Sequence, residues 1–279
     1  MSKPDRYAVF GQPVSHSLSP RIHWLFAQQS AQELTYEAIE VAPAQFAGAV
    51  ADFFAGGGRG LNITVPHKLS AFALATRTSD RARRAGAVNT LSIEPQGRVL
   101  FGDNTDGVGL VRDLTGNLAL PVSGQRVLIL GAGGATRGIL APLLELKPAA
   151  LCIANRSPER ARALAALFAD LAPVQAASPA ELAGTRWDLI LNATSASLSG
   201  ELPELSAELL DPACLCYDLA YGHGATPFVR WARAHGAVRS VSGLGMLIEQ
   251  AAEAFYHWRG VRPDTAPVRA LLKLETGDS

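Results

Sequence analysis

Arg126-Val-Leu-Ile-Leu130 runs straight into Gly131-Ala-Gly-Gly-Ala135, and Ile139, Leu140, Leu143 and Leu144 follow at helical spacing. A short apolar run, a glycine turn and an amphipathic helix, in that order, open a parallel strand–helix–strand unit. Ala150-Leu-Cys-Ile-Ala154 supplies the next strand, and Ser157-Pro-Glu opens a second helix with a serine cap and proline at its first position. Trp187–Asn192 and Cys214–Leu219 read as later strands. Continuous apolar strands alternating with helices imply a parallel sheet covered on both faces.

Upstream the alternation is less regular. Strands are expected at Arg6–Phe10, Leu34–Ile39, Gly60–Val65, Ala87–Ile93 and Val99–Phe101, with helices at about 20–31, 43–55, 67–75 and 80–85. The last two strands lie close together around Pro95-Gln-Gly97, which suggests a hairpin and hence a mixed sheet. Gly56-Gly-Gly58 reads as a helix stop. The tail carries a helix of about 15 residues from Leu244 and another from Thr265. Leu244, Leu247, Ile248, Ala251, Phe255 and Trp258 form a stripe on the first of these, which must bury against something; the N-terminal domain is the candidate. At 279 residues the chain exceeds what one core usually absorbs, so two domains are expected.

Apolar residues make up 48 % of the chain and charged ones 18 %, ample for a packed interior. Lysine plus arginine (25) equals aspartate plus glutamate (25), and no like-charge cluster supports a nucleic-acid or membrane-surface role. No apolar run approaches the ~18 residues that span a bilayer. The N-terminus leads into strand-like Tyr7–Phe10 rather than a signal peptide. Three cysteines without disulfide spacing fit a reducing cytoplasm, and Cys214 and Cys216 share one strand face as small apolar fillers.

The glycine turn lets the backbone approach a pyrophosphate, and the following helix offers free N–H groups to it. The pattern is Gly131-x-Gly133-x-x-Thr136, with the last glycine of the usual fingerprint replaced. A tight structural turn is the other reading of such a loop. At the end of the second strand, an NAD site usually places an acid for the ribose 2′-hydroxyl. Here stand Asn155-Arg156-Ser157, with Arg160 one turn on, which suit a 2′-phosphate and favour NADP.

Two polar runs precede this loop: Asn62-Ile-Thr-Val-Pro-His-Lys68 and Gly102-Asp-Asn-Thr-Asp106-Gly107. Lys68 falls at a strand-to-helix junction, where the helix dipole disfavours an ammonium that a neighbouring Asp106 would favour. Such a pair can donate a proton to a ketone as hydride arrives, and take one from an alcohol in reverse. A surface ion pair worth little is the alternative, because linear spacing does not bring the two together. Ser19 before Pro20 is expected to cap the first helix, and Ser17 and Ser19 offer hydroxyls for a carboxylate. His16 and His67 read as scaffold, and no His/Asp/Glu set has zinc-like spacing, so no metal is expected.

Nine segments in order resemble shikimate dehydrogenase: Ser17-Leu-Ser19-Pro, Asn62–Lys68, Gly86-Ala-Val-Asn89-Thr, Gly102–Gly107, Gly131–Ala135, Asn155-Arg156, Asn192-Ala-Thr194-Ser, Tyr217-Asp-Leu-Ala-Tyr221 and Gly243–Gln250. The resemblance implies reversible NADPH-linked reduction of 3-dehydroshikimate to shikimate, on the route to chorismate and the aromatic amino acids. It implies Lys68 as acid/base with Asp106 as partner, both touching substrate hydroxyls. Ser17 and Ser19 would take the substrate carboxylate, and Thr64, Asn89, Tyr221 and Gln250 the carboxylate or ring hydroxyls. Gly131, Ala132, Gly133, Gly134, Ala135, Asn155, Arg156, Ser157 and Arg160 would hold NADP(H). Asp80, Leu219 and Gly243 would line the cofactor site, with Thr194 beside the ribose.

The implied fold is two α/β domains with a cleft between them. Residues 1–105 would form a substrate-binding, catalytic domain with a mixed sheet, to which helices 244–279 return. Residues 106–243 would form a Rossmann-type, doubly wound NADP domain. A homodimer is likewise implied. Thr136 replaces a frequent serine and keeps its hydroxyl; Leu219 replaces a frequent methionine. Two alternatives stand beside this reading: a quinate/shikimate dehydrogenase, and a catalytically silent NADP-sensing module.

Overall fold

The computed structural model describes residues 4–94, 99–202 and 205–277. The chain forms two compact units. One runs through Gly109 and takes in Leu247–Val268; the other comprises Leu110–Met246 and the chain from Arg269.

The first unit is built on a six-stranded mixed sheet. Its strands are β1 (Asp5–Gly11), β2 (Leu34–Glu40), β3 (Gly58–Ile63), β4 (Arg77–Thr78), β5 (Thr90–Ile93) and β6 (Leu100–Asp103), in the order β2-β1-β3-β5-β6-β4. β1 is parallel to β2 and β3, whereas β5 is antiparallel to both β3 and β6. Helices α1 (Ser19–Ser30), α2 (Phe46–Ala55), α3 (Lys68–Leu74) and α4 (Asp80–Ala85) connect the strands. The mixed sheet agrees with expectation; the turn read at Pro95–Gly97 lies outside the described residues. Phe10, Val50, Phe53, Leu61, Ile63, Val88 and Leu91 fill one core. α2 stops at Gly56, and Gly57 takes the left-handed φ of +86° that glycine tolerates.

One boundary differs from the sequence reading for an identifiable reason. Ser19 does not cap α1: it is the helix's first residue, the cap position belongs to Leu18, and no side chain satisfies it. A residue already in helical conformation cannot turn its hydroxyl back onto the next amides, and Ser19 N–H instead donates to Ser17 Oγ at 3.2 Å. Ser157 does occupy the cap of its helix with Pro158 after it, but its hydroxyl makes no capping bond.

The second unit carries β7 (Arg126–Leu130), β8 (Ala150–Ala154), β9 (Gln175–Ala177), β10 (Trp187–Asn192), β11 (Leu210–Asp218) and β12 (Arg239–Val241). Every pairing is parallel, in the order β12-β11-β10-β7-β8-β9. Helices α6 (Gly134–Glu145), α7 (Pro158–Leu167) and α8 (Pro227–Ala234) return the chain between strands. Alternate residues feed two cores: Val127, Ile129, Ile153, Leu189 and Leu191 one, and Leu128, Leu130, Cys152, Ile190, Cys214 and Cys216 the other. The cysteines thus are buried fillers. Burial pushes the Cys152 thiol up to about 11, and the Cys214 neighbour together with burial raises that of Cys216.

Helices α5 (Asp106–Arg112) and α9 (Leu244–Arg259) each begin in one unit and end in the other, and α10 (Thr265–Thr276) closes the chain. Within the first unit Ile248, Ala251 and Phe255 of the α9 stripe are buried and Leu247 and Trp258 half-buried; Trp258 lies 4.8 Å from the Tyr7 ring and donates from Nε1 to the Leu91 carbonyl. Gly60 lies under that indole, and a Cβ there would stand 2.5 Å from it. Gly60→Ala should therefore displace the ring and cost about 1–3 kcal/mol, read as a lower urea midpoint with an unchanged slope.

Candidate active site

Asp103, which ends β6, Asn104, Thr105 and Asp106, which opens α5, form four consecutive polar residues, and all four are buried. Polar groups withdrawn from water require partners, and each finds them locally. Asn104 donates from Nδ2 to the Ala87 carbonyl and accepts the Asp106 N–H. Thr105 N–H donates to Asn89 Oδ1 at 2.8 Å. Asn89 Nδ2 in turn donates to Thr105 Oγ1 and Asp106 Oδ1, both at 2.9 Å, and to Gln250 Oε1 at 3.3 Å. The second Asp106 oxygen accepts from Lys68 Nζ at 2.6 Å, the two side chains being 6 % and 12 % exposed. Residues 38 apart in sequence thus meet in one nearly dry ion pair.

Local structure explains where Lys68 sits. It is the first residue of α3, reached from β3 through Thr64–His67. The His67 ring stacks on Phe46 and bonds the Val41 carbonyl through Nε2, while the His67 backbone N–H donates to the Thr64 carbonyl. Lys68's own carbonyl accepts the Val88 N–H, which ties α3 to the segment carrying Asn89. Gly11 is bare beside Thr64: a Cβ there would lie 2.4 Å from Thr64 Cγ2. No hydrogen bond among the described residues links Ser17, Ser19 or Thr64 to the Asn89 cluster; Ser17 lies in the loop between β1 and α1, Ser19 opens α1, and Thr64 follows β3. Exposed Asp80 opens α4 and pairs with Arg83 at 2.7 Å.

In the second unit, the C-terminal ends of neighbouring strands carry the other residues of interest. Gly131, at φ +100°, presses against the Ala193 carbonyl, and Thr136 Oγ1 donates to the Gly131 carbonyl. Gly133 has open space where a Cβ would point, and it precedes α6 with no side-chain cap. The first N–H groups of α6 are therefore presented to the loop's open side, as a phosphate requires. Asn155 follows β8, Arg156, Ser157 and Arg160 are exposed beyond it, and no acid stands at the strand's end. Leu219 and Tyr221 follow β11, and Gly243 follows β12, its Cα so close that a Cβ would lie 2.3 Å from the Leu219 carbonyl oxygen. This donor set fits an NADP: backbone for the diphosphate, guanidinium groups for the 2′-phosphate. Strand order reverses between β7 and β10, the place where such sheets bind nucleotides.

Comparison with known proteins identifies the family. Models of the shikimate dehydrogenase substrate binding domain, of shikimate/quinate 5-dehydrogenase and of the shikimate 5′-dehydrogenase C-terminal domain match residues 9–91, 114–204 and 243–273. A shikimate dehydrogenase (NADP(+)) of Methylococcus capsulatus is 58 % identical over 99 % of this chain and 98 % of its own. The chain belongs to the shikimate dehydrogenase family. A crystal structure of an Ael1 enzyme from Pseudomonas putida is 50 % identical, with TM-score 0.86 over 96 % of this chain and 98 % of that one. The shikimate 5-dehydrogenase of Thermus thermophilus, solved with NADP(H) and shikimate, is 35 % identical, with TM-score 0.84 over 97 % and 99 % of the two chains.

Within this shikimate dehydrogenase fold, sequence reading passed over residues that hold the cluster in place. Thr105 and Asn104 stand inside the quoted motif, and a run of four polar residues between strand and helix was the available signal. Arg81 carried no such signal. Its guanidinium forks onto Asp103 and also reaches Glu253 Oε1 of α9, one turn beyond Gln250, at 3.1 Å. Among the described residues, no group of three His, Cys, Asp or Glu could hold a metal ion, and no helix is long and apolar enough to cross a membrane.

Burial alone would raise the Asp103 carboxyl, but bonds from Arg81, Ser79 and the Asn104 N–H outweigh it and hold it below the usual range. A carboxylate held low stabilises the fold above its unfolded value of about 3.9 and loses that contribution as pH falls through the folded value. Asp103→Asn should therefore lower stability at neutral pH, with the gap from wild type narrowing below about pH 4. Denaturation midpoints across pH check this; a gap independent of pH would contradict it.

Proposed function

We propose that this chain reduces 3-dehydroshikimate to shikimate reversibly with NADPH, serving the route to chorismate and the aromatic amino acids. The observation that carries the reading is the 2.6 Å Lys68–Asp106 pair, set among neutral donors and acceptors. Bound NADPH supplies the hydride for the ketone carbon. Lys68 hydrogen-bonds the ketone oxygen through its ammonium and gives up a proton there as charge develops. Asp106 orients that ammonium and accepts from a ring hydroxyl. In the oxidative direction Lys68 must first be neutral, so that it can take the alcohol's proton.

The remaining residues bind and orient. The hydroxyls of Ser17 and Ser19 receive the substrate carboxylate, and Thr64, Asn89, Tyr221 and Gln250 satisfy the ring hydroxyls. Gly131–Ala135 and the start of α6 receive the diphosphate; Asn155, Arg156, Ser157 and Arg160 receive the 2′-phosphate. Asp80, Leu219, Gly243 and Thr194 border the nicotinamide and its ribose. Residues 1–105 with the returning segment Leu247–Val268 act as the substrate side and 106–243 as the cofactor side; the end of α10, from Arg269, belongs to the second unit rather than to the substrate side. The substrate is the partner; a homodimer and a cytoplasmic location complete the reading, with no nucleic acid and no membrane involved.

Lys68→Met should fold, retain NADP(H) binding, and lose about 10²–10⁴-fold in kcat, measured by NADP reduction with shikimate. Turnover of quinate equal to shikimate would favour the broader quinate/shikimate activity, and a wild type that binds NADP but reduces nothing would favour the silent module.

A further inference from the structure

Asp218 ends β11 and is completely buried, yet no lysine or arginine is among its hydrogen-bond partners in the described residues. Its Oδ1 accepts from Asn192 Nδ2 at 3.0 Å and the Ala220 N–H at 3.1 Å. Its Oδ2 accepts from Ser197 Oγ and Thr226 Oγ1, both at 2.6 Å. Each donor fixes a different piece of chain. Asn192 passes the constraint on, because its Oδ1 accepts from both the N–H and the hydroxyl of Thr194. Thr226 caps α8 by accepting the Val229 N–H. Leu219 N–H donates to the Asn192 carbonyl and Gly243 N–H to the Ala220 carbonyl. One carboxylate thus pins the exits of β10 and β11 beside the glycine loop, where Gly131 touches Ala193 and Thr194. The Asn155–Arg160 segment leaves β8, on the far side of β7, and supplies none of the Asp218 donors among the described residues.

Such a group is costly. Burial raises the Asp218 carboxyl despite its four donors, so a side chain needed only to fill space would not be acidic. We propose that Asp218 is a positioning residue for the nicotinamide half of the NADP site, holding Thr194 and Leu219 in register while leaving the 2′-phosphate half untouched. This rests on the NADP reading above.

The test measures dissociation constants for NADPH and for adenosine 2′,5′-bisphosphate, which has the 2′-phosphate but no nicotinamide. Asp218→Ala takes their acceptor from four donors, of which Asn192 Nδ2 keeps only a 3.2 Å bond to Ser197 Oγ, and should weaken NADPH about tenfold or more, leaving the bisphosphate within about twofold. Asp218→Asn should recover most of the NADPH affinity. Its carbonyl keeps the Asn192 and Ala220 donors, and its amide donates to the two hydroxyl oxygens, which rotate to accept. Equal weakening of both ligands by Asp218→Ala, undiminished NADPH binding, or no recovery in Asp218→Asn would each overturn the proposal. Should Asp218→Ala not fold, Ser197→Ala removes a single donor and must show the same selective loss in smaller measure; an equal loss for both ligands overturns the idea there too. A wild type that binds neither ligand would instead sink the NADP reading itself.

Discussion

An ammonium and a carboxylate 2.6 Å apart, both almost removed from water, impose the strictest requirement in the first unit. Desolvating two charges outweighs their attraction unless the remaining hydrogen-bonding capacity is met. Here Asn89 meets it at Asp106 Oδ1, and Asn104 meets the Asp106 backbone. Asn89 is itself held by Thr105, and Thr105 and Gln250 share its amide. The pair is therefore the visible part of a network whose members come from the residue before β5, the β6–α5 turn, the first residues of α5 and α3, and α9. Loss of any one member leaves a buried donor or acceptor unmatched, which is costlier than the bond itself.

The second unit solves a different problem. Its parallel sheet places all strand exits at one edge, where backbone N–H groups and short loops gather. Glycines at 131 and 243 permit neighbouring loops to touch, and the carboxylates of Asp218 and Asp113 knit those loops from within. Asp113 accepts from Tyr217 Oη at 2.7 Å, that hydroxyl accepts the Met246 N–H, and Gly245 is bare because Asp113 fills the space its Cβ would take. Buried acids thus shape this edge without belonging to the chemistry proposed for it.

Where the sequence was legible, one local rule dominated. β7, β8 and the glycine turn between them were readable because apolar continuity and glycine act within about ten residues. The stripe on α9 announced a buried helix for the same reason. Ser19 misled because Ser-Pro satisfies the rule for a cap equally well one position out of phase, and only the backbone conformation of Leu18 decides. β4, β9 and β12 have two or three residues each and too little pattern to read. The meeting of Lys68 with Asp106, and the reach of Arg81 to both Asp103 and Glu253, depend on strand order across the sheet. No periodicity along the chain encodes that order; the motif resemblance supplied the first pairing and left the second unseen.

The three cysteines sit on one face of a single sheet, on strands β8 and β11, and all belong to the second unit. Their thiols are sealed from solvent, and those of Cys152 and Cys216 are hard to ionise. Alkylating reagents therefore find no target until that sheet parts, so the rate of thiol labelling in native buffer is a clock for opening events in this half of the molecule alone. The other half, free of cysteine, stays silent to the same reagent.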